Sequence, residues 1–297
     1  MNPIDQPIDR GVDVLLTGTD TPFRGETCRG LAVLRLFALI GCVASFWPYD
    51  AVAGKTVVLS TLEWPPFASS RLHDFGATGR IITEAFAARG YEVRFSFNPW
   101  PVSVDMARTG ADHVVAYFPG YHCRHRENFL ESDPVGSSPL GFAERVDAPI
   151  SWRTLDDLGE QQLKIGTVFG YTNTEEFDRR VGIGWIRAIP SENDADNLRR
   201  LLRGRIDAAV IDKHVFRYLV ATEERLAQAV DELQFNDHPI TEARFYVCFY
   251  GDAEGVSMRD VFNAGLATLD IDKRLAEYMN NLAVDVRTLP NERDPNR

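Results

Sequence analysis

From Lys55 onward the sequence alternates β-branched runs with amphipathic helical stretches, and it does so in two successive series. Few folds accept that order, because strands separated by helical crossovers pair in parallel and bury both faces of a sheet. The first series opens with "KTVVLST", a strand. "TGRIITEAFAARGYEVRFSF" follows as a helix and a strand, with Ile81, Ile82, Ala85 and Phe86 forming one apolar stripe. "PVSVDMARTGADHVVAYF" repeats the plan. Pro101 suits a first helical turn, Gly110 stops the helix, and Asp112–Phe118 is the next strand. After "ESDPVGSSPLGFAERVDAP" a second series begins. It runs through the helix "TLDDL", the strand and glycine turn "LKIGTVFG", the helix in "TNTEEFDRRVG" and the strand "GWIRAI". Ser191 is the expected cap of the next helix, "ENDADNLRRLLRG", and the strand "IDAAVID" leads into "HVFRYLVATEERLAQAV". The chain returns through "DELQFNDHPITEARFYVCFYG" and closes with two helices.

Two series with a return imply two α/β lobes joined by two crossings, expected near Pro134–Gly141 and Asn236–Thr241. The expected division is an N-terminal extension and leader (1–53), lobe one (54–137), lobe two (138–236), the return to lobe one (237–287) and a tail (288–297). Open α/β sheets hold ligands beyond the carboxyl ends of their strands, so the cleft between the lobes is the expected site. "LEWPPF", residues 62–67, follows the first strand and should face that cleft. Its two prolines cannot continue a strand; they stiffen the exit and present Trp64, while Phe67 turns inward.

The ends and the charge narrow the function classes. Residues 1–30 lack apolar periodicity, and Arg35 is then followed by the apolar run Leu36–Trp47 and by Ala51-Val52-Ala53. That order reads as a cleavable secretory leader, with Gly54 as the mature N-terminus after cleavage at Ala53. A lipoprotein-type site at Cys42 ranks second, and a buried or anchoring helix is the alternative to a leader. The expected compartment is therefore the periplasm. A formal net charge of −11 argues against nucleic acid as a partner. Cys123 and Cys248 remain in the exported chain, and disulfide or free thiols are both open. No metal site, cofactor motif, P-loop or nucleophile elbow occurs, which favours a non-enzyme. "SENDAD" reads as a solvated acidic face, and the ends of Tyr117–Phe118 as buried.

In their order and spacing these pieces resemble the bacterial extracellular solute-binding proteins of the polar amino-acid type, the type II periplasmic binding proteins of ABC importers. The resemblance runs through "WPPF", "TGRIITEAFAARGYEVRFSFNPWPVSVDMARTGADHVVAYF", "RENFLESDP", "TLDDLGEQQLKIGTVFGYTNTEEF", "RRLLRGRIDAAVIDKHVFRYLV" and "VFNAGLATLD", over nearly all of residues 54–285. It implies an α/β, two-lobed fold, each lobe a mostly parallel sheet flanked by helices. It also implies a monomer that captures a small polar ligand by hinge closure and delivers it to an ABC permease. Carried over position by position, Trp64 and Trp100 match aromatic walls and Asp212 matches the carboxylate that pairs with a ligand amino group. Gly170 and Tyr171 match the turn whose backbone approaches a ligand carboxylate. One element departs from the pattern. "YFPGYHCRHRENFLESDP" has no Thr, and His125 or Arg126 stands at the position of the carboxylate-clamping Arg. Arg126 is preferred, because "RENF" continues the local pattern and Arg grips a carboxylate bidentately. Two other classes share the resemblance: a cyclohexadienyl dehydratase-like enzyme, and a sensory or accessory binding module without a transporter.

Overall fold

The protein was analysed as a computed structural model, which describes residues 55–123 and 128–288. The leader, the cleavage site and Cys42 fall outside the described residues.

The first series folds as the sequence pattern dictates. Strand β1 (Lys55–Thr61) pairs in parallel with β2 (Tyr91–Phe97) on one side and β3 (Val114–Gly120) on the other. Helix α1 (Ala77–Ala87) crosses between β1 and β2, and α2 (Trp100–Thr109) between β2 and β3. The apolar stripe of α1 is fully buried, and Phe86 packs on Phe262 of α8 (Ala253–Leu266) with ring centres 5.1 Å apart. Pro101 occupies the first turn of α2, and the Gly110 N–H closes the helix on the Met106 carbonyl.

The second series contains β6 (Lys164–Val168), β7 (Arg187–Ser191) and β8 (Ala208–Asp212), with β6 paired in parallel to both others. Helices α3 (Leu155–Glu160), α4 (Glu175–Gly182), α5 (Asp194–Leu202), α6 (Lys213–Thr222) and α7 (Glu224–Ala227) cover it. Phe142, Leu158, Ile165, Phe177 and Ile186 form its separate buried cluster. Ser191 does not cap α5; Asn193 does, accepting from the Asp196 N–H at 2.9 Å. The Ser191 hydroxyl lies within hydrogen-bond distance (3.1 Å) of the Thr167 carbonyl, tying β7 to β6. Nor is the long helix after β8 continuous. It breaks at Glu223, whose extended backbone and side chain cap α7.

The first expected crossing runs into a strand from Gly136 onward, and the second leads from an irregular stretch, 236–240, into a strand at Thr241. β5 (Gly136–Arg145) and β10 (Thr241–Tyr250) run antiparallel to each other over Gly136–Leu140 and Thr241–Phe245. Beyond that stretch they diverge. β10 continues against β3 and β4 (Phe129–Glu131), and β5 against β8 and β9 (Leu233–Phe235). The strand order is β2-β1-β3-β10-β5-β8-β6-β7, with parallel pairing at the outer strands and antiparallel pairing along β5 and β10. Helix α9 (Ile271–Thr288) closes the chain beside α1, with the Tyr278 hydroxyl donating to the His73 carbonyl at 2.8 Å. Cys123 and Cys248 are joined by a disulfide between the end of β3 and β10, with Cα atoms 5.4 Å apart. Gly120 makes room for it, since a Cβ there would stand 2.6 Å from the Cys248 sulfur.

Candidate functional site

The carboxyl ends of β1 and β2 face those of β6 and β7 across one groove. It holds about 1010 Å³ and is lined by Leu62, Asn98, Trp100, Phe169, Tyr171 and Asn193, among others. A tighter pocket of about 30 Å³ lies beside it, sharing Leu62, Trp100 and Tyr171 and adding Trp64, Tyr117 and Tyr121. That is room for about two waters. The two halves of the molecule therefore meet closely here.

One wall is aromatic. After β1 the chain doubles back through a tight turn, with the Trp64 N–H donating to the Ala68 carbonyl at 2.7 Å and the Phe67 N–H to the Trp64 carbonyl at 3.1 Å. The Pro65–Pro66 and Phe118–Pro119 peptides are cis. Phe67 is fully buried against Phe245, ring centres 4.6 Å apart, and supports Trp64 at 5.0 Å. The Trp64 ring also meets Tyr121 and Phe245 edge-on, at 5.9 and 5.7 Å. Trp64 is thus both a core aromatic and a pocket wall, with its indole N–H aimed out of the cluster. Trp100, the first residue of α2, meets Tyr117 edge-on at 5.2 Å and Tyr171 at 6.1 Å.

The opposite wall carries the polar groups. β6 ends at Val168, and Gly170 turns the chain with φ +80°, a backbone that suits glycine. Its carbonyl accepts from the Trp100 indole at 3.0 Å, and the Tyr171 N–H donates to the Val168 carbonyl at 3.2 Å. Asp212 ends β8 and caps α6. Its Oδ1 accepts from the His214 and Val215 N–H groups at 2.7 and 3.2 Å. The residue is 2% exposed, and its Oδ2 has no hydrogen-bond partner. Asp194 is the first residue of α5, where carboxylates favour the helix dipole. Its Oδ2 accepts from the Trp64 indole at 3.2 Å and the Tyr171 hydroxyl at 3.4 Å.

Burial dominates the electrostatics. Asp194 is pushed up to about 7 by desolvation, with the Trp64 and Tyr171 hydrogen bonds pulling the other way. Asp212 is also pushed up to about 7 by desolvation, opposed by the Ser138 hydroxyl and the α6 amides and reinforced by the Asp194 charge. Ser138 and Tyr121 act on Asp212 electrostatically, yet their enclosed hydroxyls complete no hydrogen bond of good geometry to it. Desolvation, followed by the Asp212 and Asp194 charges, holds the Tyr121 phenol well above its usual range. Among the described residues no cluster of three metal-ligating side chains occurs, and no helix is long and apolar enough to cross a membrane.

Of the residues expected from sequence, Trp64, Trp100, Gly170 and Tyr171 come together around the pocket and its rim. Asp212 lines neither cavity, and its charge acts on the phenol of Tyr121, which lines the tight pocket. Arg126 and its alternative His125 lie outside the described residues. Asp194 and Tyr121 were not expected. "SENDAD" is not simply a solvated face: Asp194 and Ser191 within or beside it are buried, at 6% and 4% exposure. Its place at the start of the helix that follows β7 was the available signal.

No protein-family model matches the sequence, and no curated protein matches it. Solved structures do match the fold. The ligand-binding core of GluR0 from Nostoc punctiforme, in complex with L-glutamate, aligns with a TM-score of 0.59 at 16% identity, covering 76% of this chain and 98% of that one. An arginine 3rd transport system periplasmic binding protein from Legionella pneumophila aligns with a TM-score of 0.60 at 18% identity, covering 76% and 99%. The amino acid ABC transporter substrate-binding protein AbpA from Streptococcus pneumoniae, bound to L-arginine, gives 0.60 at 15% identity, covering 78% and 96%. At these identities the likeness establishes the fold, and it is the two-lobed α/β fold that the sequence resemblance implied.

Proposed function

We propose that the protein is a periplasmic solute-binding protein that captures an amino acid or similar small polar solute and presents it to an ABC permease. The observation that carries this reading is Asp212: a 2%-exposed carboxylate at a strand end, with one oxygen capping α6 and the other without a hydrogen-bond partner. A buried unpaired acceptor costs free energy until a donor arrives, and a ligand ammonium is such a donor. The amino-acid-binding proteins of the same fold support the reading, as does the binding role of those proteins for a non-catalytic chain.

In this reading residues 54–137 and 237–287 form one lobe and 138–236 the other. Trp64 and Trp100 wall the ligand, the Gly170–Tyr171 turn and Asp212 supply polar contacts, and Arg126 holds a ligand carboxylate. The hinge is the pair β5 and β10, which changes partners midway. Ligand favours closure because it touches both lobes only in the closed form. The Cys123–Cys248 disulfide fits export to an oxidising compartment, with a leader removed after Ala53. A thermal-shift screen of amino acids and small amines and acids tests the reading. At least one should raise the melting temperature of the wild type and fail to do so for Asp212→Asn. Equal shifts in both proteins would overturn it.

A further inference from the structure

The sheet ends at two edge strands, and the two are guarded differently. Among the described residues β7 pairs only with β6, and β2 only with β1. β7 spans five residues and contains Pro190, which has no N–H for a neighbour. β2 spans seven residues, "YEVRFSF", without proline or glycine, and its register with β1 is unbroken. No backbone hydrogen bond among the described residues uses its outer side. A free, regular edge of that length is a template for another strand.

The side chains say which strand. Tyr91, Val93, Phe95 and Phe97 share one face of β2 and are half-buried. Tyr91 packs on Phe86 at 6.1 Å and Phe95 on Phe118 at 4.9 Å. Phe75, 44% exposed, stands 5.2 Å from Phe95 and 6.3 Å from Phe97, which leaves apolar surface at the edge itself. Glu92 and Arg94 project from the other face, both exposed, and among the described residues neither is in an ion pair. Charges on an edge deter pairing when they meet their own sign. These two are opposite in sign and two residues apart. An antiparallel copy of β2 related by a two-fold axis at Val93 sets Glu92 opposite the partner's Arg94, and Arg94 opposite the partner's Glu92. The same register sets Tyr91 opposite the partner's Phe95 twice over, a favourable aromatic cross-strand pair. Moving the axis by one residue either way sets Arg94 against Arg94 or Glu92 against Glu92, so the charges select this register.

We propose that two copies of the chain pair antiparallel through β2, about a two-fold axis at Val93, and extend the sheet across a dimer. The resemblance implies a monomer, and the proposal does not draw on the solute-binding reading. A two-fold uses each β2 edge once, so association stops at two copies. One strand a side makes a small interface, so the dimer is weak.

Sedimentation velocity of the exported protein tests it, over about 1–300 µM at physiological salt. Wild type should pass reversibly from monomer to dimer within that range. Glu92→Arg and Arg94→Glu each replace both ion pairs by like charges, and each should raise the dissociation constant at least about tenfold. The double variant Glu92→Arg/Arg94→Glu restores the complement and should return within about threefold of wild type. Both residues are exposed, and thermal unfolding of each variant reports that it is folded. A wild type that stays monomeric throughout, one that grows beyond a dimer, or a dimer that neither single variant weakens would overturn the proposal. So would a double variant as weak as the singles.

Discussion

The two sides of the cleft are chemically unlike. The side built on β1, β2 and β3 offers indoles and phenols seated on a packed aromatic core, with Phe67 and Phe245 beneath Trp64. The side built on β6, β7 and β8 offers helix starts and carboxylates, with Asp194 and Asp212 each placed at a strand-to-helix junction. The first side gives shape and a polarisable surface; the second gives charge and hydrogen-bonding direction. Neither is a binding site alone, because aromatic walls do not orient a polar solute and buried carboxylates without donors are costly.

Breaking the first side's framework should have the largest effect. The Cys123–Cys248 disulfide spans a sequence separation of 125 and lies wholly on that side. Replacing both cysteines by serine should cost about 4–5 kcal/mol of unfolding free energy on the chain-entropy account. Hydrogen exchange should show lost protection in β1, β3 and β10, with β6–β8 little changed. Uniform loss would mean that the two sides unfold as one.

On the second side, Asp212→Asn removes the charge while keeping an oxygen to cap α6. Ligand affinity should fall by about ten- to hundredfold, while the α6 cap is kept. Trp100→Phe addresses the join. It removes the indole donor to the Gly170 carbonyl but keeps the ring near Tyr117, and should destabilise the closed form by about 1 kcal/mol. Small-angle scattering of the ligand-free variant should then show a larger radius than the wild type.

The mildest test is pH. Asp194 and Asp212 are both raised to about 7, above their unfolded values, so the folded protein holds protons that the unfolded chain has released. Their contribution to stability is full below the unfolded carboxylate range and is lost as pH rises to about 7. Ligand-free wild type should lose more stability than Asp194→Asn between about pH 5 and 7.5, as read by denaturant unfolding.

The first side was largely legible in the sequence. Trp64 and Trp100 stand beside prolines that end a strand or open a helix, and such punctuation reads without knowledge of partners. The second side was legible only in part. Asp212 was singled out through the family resemblance, at the end of "IDAAVID". Asp194 was not, because "SENDAD" has the composition of a solvated face, and it is the tertiary approach of Trp64 and Tyr171 that encloses it. The strand at the first crossing is masked for a related reason. "GSSPLGFAER" carries Gly, Ser and Pro that signal a loop, yet β10 on one edge and β8 on the other hold it as a strand. Pairing between distant segments overrides local preference there.

The most direct test of the cleft as the binding site is the set of tryptophan indole N–H resonances during titration with L-lysine or L-arginine. Trp64 and Trp100 line the cleft, whereas Trp152 packs on Phe142 at 5.2 Å in the second core and Trp185 donates to the Asp156 carbonyl at 3.2 Å. With assignments from Trp64→Phe and Trp100→Phe, the resonances of Trp64 and Trp100 should shift and saturate together, while those of Trp152 and Trp185 stay in place. Saturable binding that moves Trp152 or Trp185 and leaves Trp64 and Trp100 unchanged would contradict it.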